Sequence, residues 1–220
     1  MPVPDDVIFG PDSNDDRFEY GDVRSFPKEK QYQALKLRLD SFLMAQTGEL
    51  ALDEKNERKV YSPFPLFLLT CVAIESLGKV MSSPKAGTSD ADTGREAFLK
   101  IAGKLDQVFS RPLSAQEKIE YDDLWGDKAH KFARSKAHVL FKFGRNSMAH
   151  CFRGKGVYLT ERDRTPAWEF EDGAIIVNPY WFWRRFREVY EEEWETLFKD
   201  NEPTSARRRA ANEFLDEILN

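Results

Sequence analysis

From about Pro63 to Met81 the chain carries Phe67, Leu68, Cys71, Val72, Ile74, Leu77 and Val80, so that a helix there is apolar on almost every side. Such a helix cannot lie on a surface; it has to be central, with the other elements packed around it. Its polar exceptions are Glu75 and Lys79, one turn apart. They read either as an ion pair at the surface or, for Glu75, as a carboxylate pointing from this helix toward the segment that carries Arg145 and His150. The unbroken apolar run Phe64 to Ile74 is shorter than a bilayer span and is closed by Glu75.

Around this helix the sequence places others. Met1 to Phe26 is polar, acidic and rich in Pro, Gly and Asp, and reads as irregular chain pinned by Phe9, Phe18 and Tyr20. Pro27 opens a helix whose face is Tyr32, Leu35, Leu39, Phe42 and Leu43. A polar run, Asp53 to Lys59, separates it from the central helix, and Ser82 to Gly94 reads as a loop. A helix from Arg95 to Phe109 follows. Ser114 and Glu117 have capping-box spacing for a short helix ending near Trp125-Gly126. From Asp127 to Phe152 a stripe of Phe132, Ala133, Lys136, Ala137, Leu140, Phe143 and Ser147 predicts one long helix.

After Gly156 the period changes. Val157 to Thr160, Ala167 to Phe170 and Ala174 to Val177 are β-prone, with Glu171-Asp172-Gly173 as a hairpin turn between the last two. Asn178-Pro179 starts a helix that buries Tyr180, Trp183, Phe186, Val189, Tyr190, Trp194, Leu197 and Phe198. The acidic run Glu191 to Glu193 reads as a solvated face. Thr204 to Asn220 is a last amphipathic helix, whose Arg207-Arg208-Arg209 run reads as a surface face in preference to an RNA-binding patch. The fold class is therefore mainly α with a small β-hairpin insertion, divided as 1–26 irregular, 27–199 helical domain and 200–220 C-terminal helix.

Composition excludes several functions. A net charge of -5 opposes broad nucleic-acid wrapping, which needs a cationic surface, but permits a local phosphate site. Two cysteines, Cys71 and Cys151, with no secretory signal at the N-terminus, fit a reducing, cytoplasmic setting. His130, His138 and His150 have no metal-ligand spacing, and no Walker or dinucleotide glycine pattern occurs, so neither metal nor cofactor is expected. Cys151 beside His150 is poor geometry for a nucleophilic pair, because adjacent helical positions point about 100° apart.

The chemistry concentrates in Arg145, Asn146 and His150. Arginine is always charged and its planar fork suits phosphate oxygens; histidine can move a proton near neutral pH. Together they meet the needs of metal-free RNA cleavage. A proton must leave the 2′-hydroxyl, and the charge developing on phosphorus must be stabilised. Asn146, four residues before His150, could hold the imidazole tautomer. Arg145 and His150 are five apart and on a regular helix diverge by about 140°. A kink at Gly144, or a second copy of the chain sharing the groove, would relieve that.

The run Arg145-Asn146-Ser147-Met148-Ala149-His150 resembles the signature of the HEPN superfamily (higher eukaryotes and prokaryotes nucleotide-binding domain): Arg, a polar residue, three further residues, His. The resemblance covers about Pro27 to Lys199, including Ile74-Glu75-Ser76-Leu77 on the preceding apolar helix. It implies an antiparallel helical bundle that dimerises, bringing two motifs to one cleft. It further implies a metal-independent endoribonuclease acting on RNA in a toxin-antitoxin or phage-defence setting, with an antitoxin or nucleotidyltransferase-like partner. By position Arg145 would hold the scissile phosphate, His150 would transfer protons and Asn146 fills the polar position; Glu75 and Ser147 are supporting candidates. The alternative is a non-catalytic dimerisation or nucleotide-binding module.

Overall fold

A computed structural model describes residues 3–10, 17–51, 63–83, 89–126, 134–146, 156–160, 167–171 and 174–220. In chain order the elements are β1 (Ile8–Gly10), β2 (Phe18–Glu19), α1 (Tyr20–Ser25), α2 (Lys28–Leu39), a π-helical segment (Asp40–Met44) and α3 (Ala45–Ala51). Then come α4 (Pro63–Val80), α5 (Asp90–Leu105), α6 (Gln107–Ser110), α7 (Ala115–Trp125), α8 (Lys136–Val139) and a second π-helical segment (Leu140–Asn146). The chain closes with β3 (Val157–Leu159), β4 (Trp168–Glu171), β5 (Ala174–Val177), α9 (Pro179–Lys199) and α10 (Ala206–Leu219). The protein is mainly helical, as its periodicity predicts.

The centre is α4. Leu66, Phe67, Cys71, Ile74, Leu77 and Val80 are each fully removed from solvent, and α3, α5, α9 and α10 all pack against this helix. Each such side chain contributes about 1.5–3 kcal/mol by leaving water. At eighteen residues α4 is long and apolar enough to cross a membrane. The shorter run read from sequence understates it. In the fold, α4 lies instead at the centre of the core, where α9 lays Phe182, Phe186, Val189, Tyr190, Trp194 and Leu197 against the same cluster.

The closest approach to α4 comes from α5. A Cβ built on Gly78 would stand 2.2 Å from the carbonyl oxygen of Ala97, so only glycine permits this crossing. That backbone contact sets how near α5 can come and therefore how Phe98, Ile101 and Ala102 reach the core.

Capping signals hold where they are local. Ser114 Oγ accepts from Glu117 N at 3.2 Å while Glu117 Oε2 accepts from Ser114 N at 2.7 Å, completing the capping box of α7. Asn178 Oδ1 accepts from Tyr180 N and Trp181 N at 3.1 and 3.2 Å, with Pro179 in the first position of α9. β4 and β5 pair antiparallel, Trp168 opposite Val177 and Glu171 opposite Ala174, as the hairpin reading requires. The turn residues Asp172 and Gly173 lie outside the described residues.

Elsewhere the structure corrects the expectation. The N-terminal stretch is not wholly irregular. β1 and β2 pair, α1 follows, and Phe9, Tyr20 and Val23 enter the main core, with Phe9 and Tyr20 edge to face at 5.1 Å. The 82–94 loop is shorter than expected, because Ser89 caps α5 by accepting from Asp92 N and the helix begins at Asp90. The helix expected from Asp127 has a described start only at Lys136; Ser135 before it is extended and bridges Pro112. β3 joins β5 in parallel, so the sheet order is β3-β5-β4. Glu193 is not solvated: it is buried and paired with Lys104 and, at 3.4 Å, with Arg207. The arginine run divides as well. Arg208 is buried on Glu29 and over the Tyr32 ring, and Arg209 is exposed. A helix lying across two others gives its charged residues three different environments.

Gly78→Ala tests the crossing. It should destabilise the protein by about 1–3 kcal/mol in urea unfolding, despite the ~1 kcal/mol that alanine gains over glycine in a helix interior.

Candidate functional site

The site is built where α4 meets the π-helical segment Leu140–Asn146. Positions 67, 71 and 75 of α4 recur every four residues and so share one face. Phe67 at the bottom of that face is fully buried. Gly144 accommodates it, since a Cβ at that position would lie 3.1 Å from Phe67 Cζ. Gly144, where a kink is expected from sequence, sits within the π-helical segment and against the ring of Phe67.

One turn up, Cys71 is a buried free thiol. Burial pushes its pKa far up; the nearby Arg145 draws it down and Glu75 raises it further. A thiol held protonated in this way packs as a small apolar side chain.

Above it, Arg145 Nη2 meets Glu75 Oε2 at 2.8 Å, and Glu75 Oε1 meets Lys79 Nζ at 3.3 Å. Glu75 therefore pairs with Lys79 of its own helix, though not at the surface, and also reaches Arg145. The Glu75 side chain is 13% exposed and that of Arg145 25%, so the pair sits at the rim of the core, with Glu75 Oε2 and Arg145 Nε themselves closed to solvent. The Arg145 guanidinium also lies over the Phe141 ring at 5.7 Å, and Phe141 packs on Phe98 of α5 at 5.2 Å. On the α5 side, a Cβ on Gly94 would come within 2.6 Å of Glu75 Oε1, so the absence of a side chain there leaves room for the carboxylate.

The motif is thus seen in part. Arg145 and Glu75 are brought together. Asn146 is the last residue of the π-helical segment, and nothing is described of its side chain. Ser147 and His150 lie outside the described residues, as do Cys151 and His130. Among the described residues, no group of three or more His, Cys, Asp or Glu could hold a metal ion.

Sequence reasoning missed the π-helical geometry itself. Its only sequence trace is Gly144 next to Arg145. A π helix bonds each residue to the fifth along and is found mostly as single turns, often at functional sites. His138, two residues before this segment, reads in the sequence only as a histidine without metal-ligand spacing. Its Nδ1 lies 2.9 Å from Ser135 Oγ, and Arg95 of α5 and Arg134 are its charged neighbours. Burial, then Arg95 and Arg134, lowers its pKa.

Neither the family models, nor the curated proteins, nor the solved structures contain a match to this chain.

Two measurements follow from this geometry. Glu75→Gln leaves Arg145 and Lys79 without their carboxylate and should cost about 1–3 kcal/mol, less than a fully buried pair because both partners touch solvent. For His138 the folded state releases its proton more readily than the unfolded chain, whose imidazole titrates near about 6.5. Acid therefore favours unfolding: this contribution is intact above that value and is lost as pH falls toward the lower folded-state pKa. Urea unfolding at neutral and mildly acidic pH should show a smaller acid-induced loss for His138→Gln than for the parent; an equal loss contradicts the assignment.

Proposed function

We propose that the protein is a cytoplasmic, homodimeric, metal-independent endoribonuclease of HEPN type, cleaving RNA by attack of the 2′-hydroxyl on the adjacent phosphate. The observation that carries this reading is the π-helical segment that ends at Asn146 with Arg145 held by Glu75. A π turn brings residues five apart to one face. Five is the separation of Arg145 and His150, the spacing that a regular helix would splay by about 140°. The described segment ends at Asn146; in this reading a π turn continuing past it would bring His150 round to the face of Arg145, where both could reach one phosphate.

In this reading His150 takes the 2′-hydroxyl proton and returns one to the 5′-oxygen leaving group. Arg145, oriented by Glu75 and Phe141, stabilises the negative charge developing on the phosphoryl oxygens. Glu75 is a positioning residue. The second copy of the chain supplies the other wall of the cleft, and a toxin-antitoxin or phage-defence role follows from the family resemblance, with an antitoxin or nucleotidyltransferase-like protein as the partner restraining it.

One observation favours the second reading, a non-catalytic dimerisation or nucleotide-binding module. The Arg145 charge is already met by a carboxylate, and an ion pair of this kind can serve packing alone. The same experiment separates the two. RNA incubated with the purified protein in EDTA should be cut to products with 2′,3′-cyclic phosphate ends. His150→Ala should lower the rate by about 10²–10⁴-fold and Arg145→Ala by about 10²–10³-fold. Full activity in either variant removes the nuclease reading, and RNA left uncut by the parent dimer supports the module.

A further inference from the structure

Away from the Arg145–Glu75 site, a groove of about 630 Å³ lies between the end of α4, α5 and the first turns of α10. Its polar lining is Ser82, Ser83, Lys100, Arg207, Arg209 and Glu213. We propose that this groove binds a phosphate group, carried either by a small phosphorylated molecule or by a polynucleotide backbone. The proposal stands without the ribonuclease reading, because none of these residues belongs to that site.

Three observations converge on an anion. The first is the local balance of charge. Three cationic side chains face one carboxylate, Glu213, in a chain whose net charge is -5. Behind the wall, the buried Glu193 carboxylate is divided between Lys104 and Arg207. It cannot also neutralise Arg209, which is exposed and makes no ion pair among the described residues.

The second is a hydroxyl. Ser82 Oγ is buried and has no hydrogen-bond partner. Buried polar atoms are almost always paired, and leaving one unpaired is costly. The hydroxyl is closed to solvent in this structure, so a rotation of the Ser82 side chain would be needed to present it to a phosphate oxygen in the groove, an acceptor of the right kind.

The third is Lys100, whose Nζ donates to Met81 O at 2.9 Å and so is fixed at the groove wall. Burial, then Lys104 and Arg207, with Glu193 opposing, holds its pKa below the usual lysine range. A multiply charged anion would offset this crowding of positive charge. An arginine fork, an ammonium and a hydroxyl donor form the set that phosphate oxygens accept from. The volume falls within the range of small-ligand sites, about 300–1,000 Å³.

Calorimetric titration of the full chain with pyrophosphate tests this. One site should be seen, with Arg209→Gln weakening Kd by about tenfold and Ser82→Ala by about threefold. Both positions allow replacement without loss of an ion pair, so folding is retained and circular dichroism can check it. A short 2′-O-methyl RNA, which cannot be cleaved by 2′-hydroxyl attack, identifies the source. RNA that displaces pyrophosphate, with a salt slope reduced by about one in Arg209→Gln, makes the phosphate a polynucleotide's. Pyrophosphate that binds without RNA competition makes it a small molecule's. No pyrophosphate binding at millimolar concentration, or binding unchanged in both variants, overturns the proposal.

Discussion

A helix at the centre of a core must resolve its polar residues within the fold, and α4 has one carboxylate, Glu75, which stands at the rim of the core and is only 13% exposed. Glu75 is resolved by two cations, Lys79 from its own helix and Arg145 from the π-helical segment. The surrounding packing serves that arrangement. Gly78 lets α5 approach, Gly94 leaves space beside the carboxylate, and Gly144 lets the π-helical segment settle on Phe67. Enlarging any of the three would push against a residue of α4 or a helix packed on it. The polar site and the apolar core are therefore one problem in packing.

That coupling bears on function. A guanidinium held on a carboxylate and over a ring is oriented in advance, and an oriented charge needs little reorganisation when a negative charge develops beside it. The pair also costs something, since Glu75 competes with any phosphate for the same donors. Such competition tempers affinity for the ground state. It leaves the advantage to a ligand bearing more charge than one carboxylate, which describes a phosphoryl transition state.

The parts of this fold legible in the sequence are those fixed by neighbours a few residues apart. The Asn178-Pro179 start of α9, the Ser114–Glu117 capping box, the β4–β5 pairing and the burial of α4 all follow from short-range pattern. Features decided by distant chain were not legible. The parallel pairing of β3 with β5 has no local signature. Burial of Phe9 depends on α2, whose Arg38 lies over its ring. Arg207 and Arg208 look alike in sequence and are separated only by whether Glu193 or Glu29 stands opposite. For the site, sequence supplied Arg145 and Glu75 as candidates and Gly144 as an anomaly, but not the π-helical geometry that relates them.

We propose that Arg145, held by Glu75, works with His150 on one phosphate within a cleft shared by two chains. The most direct measurement is a crystal structure of the protein with a 2′-O-methyl oligoribonucleotide, which binds as substrate but lacks the attacking hydroxyl. The complex should be a dimer with one phosphate within hydrogen-bond distance of both the Arg145 guanidinium and the His150 imidazole. A structure in which Arg145 stays on Glu75 alone, and His150 is buried away from it and from any phosphate, would contradict it.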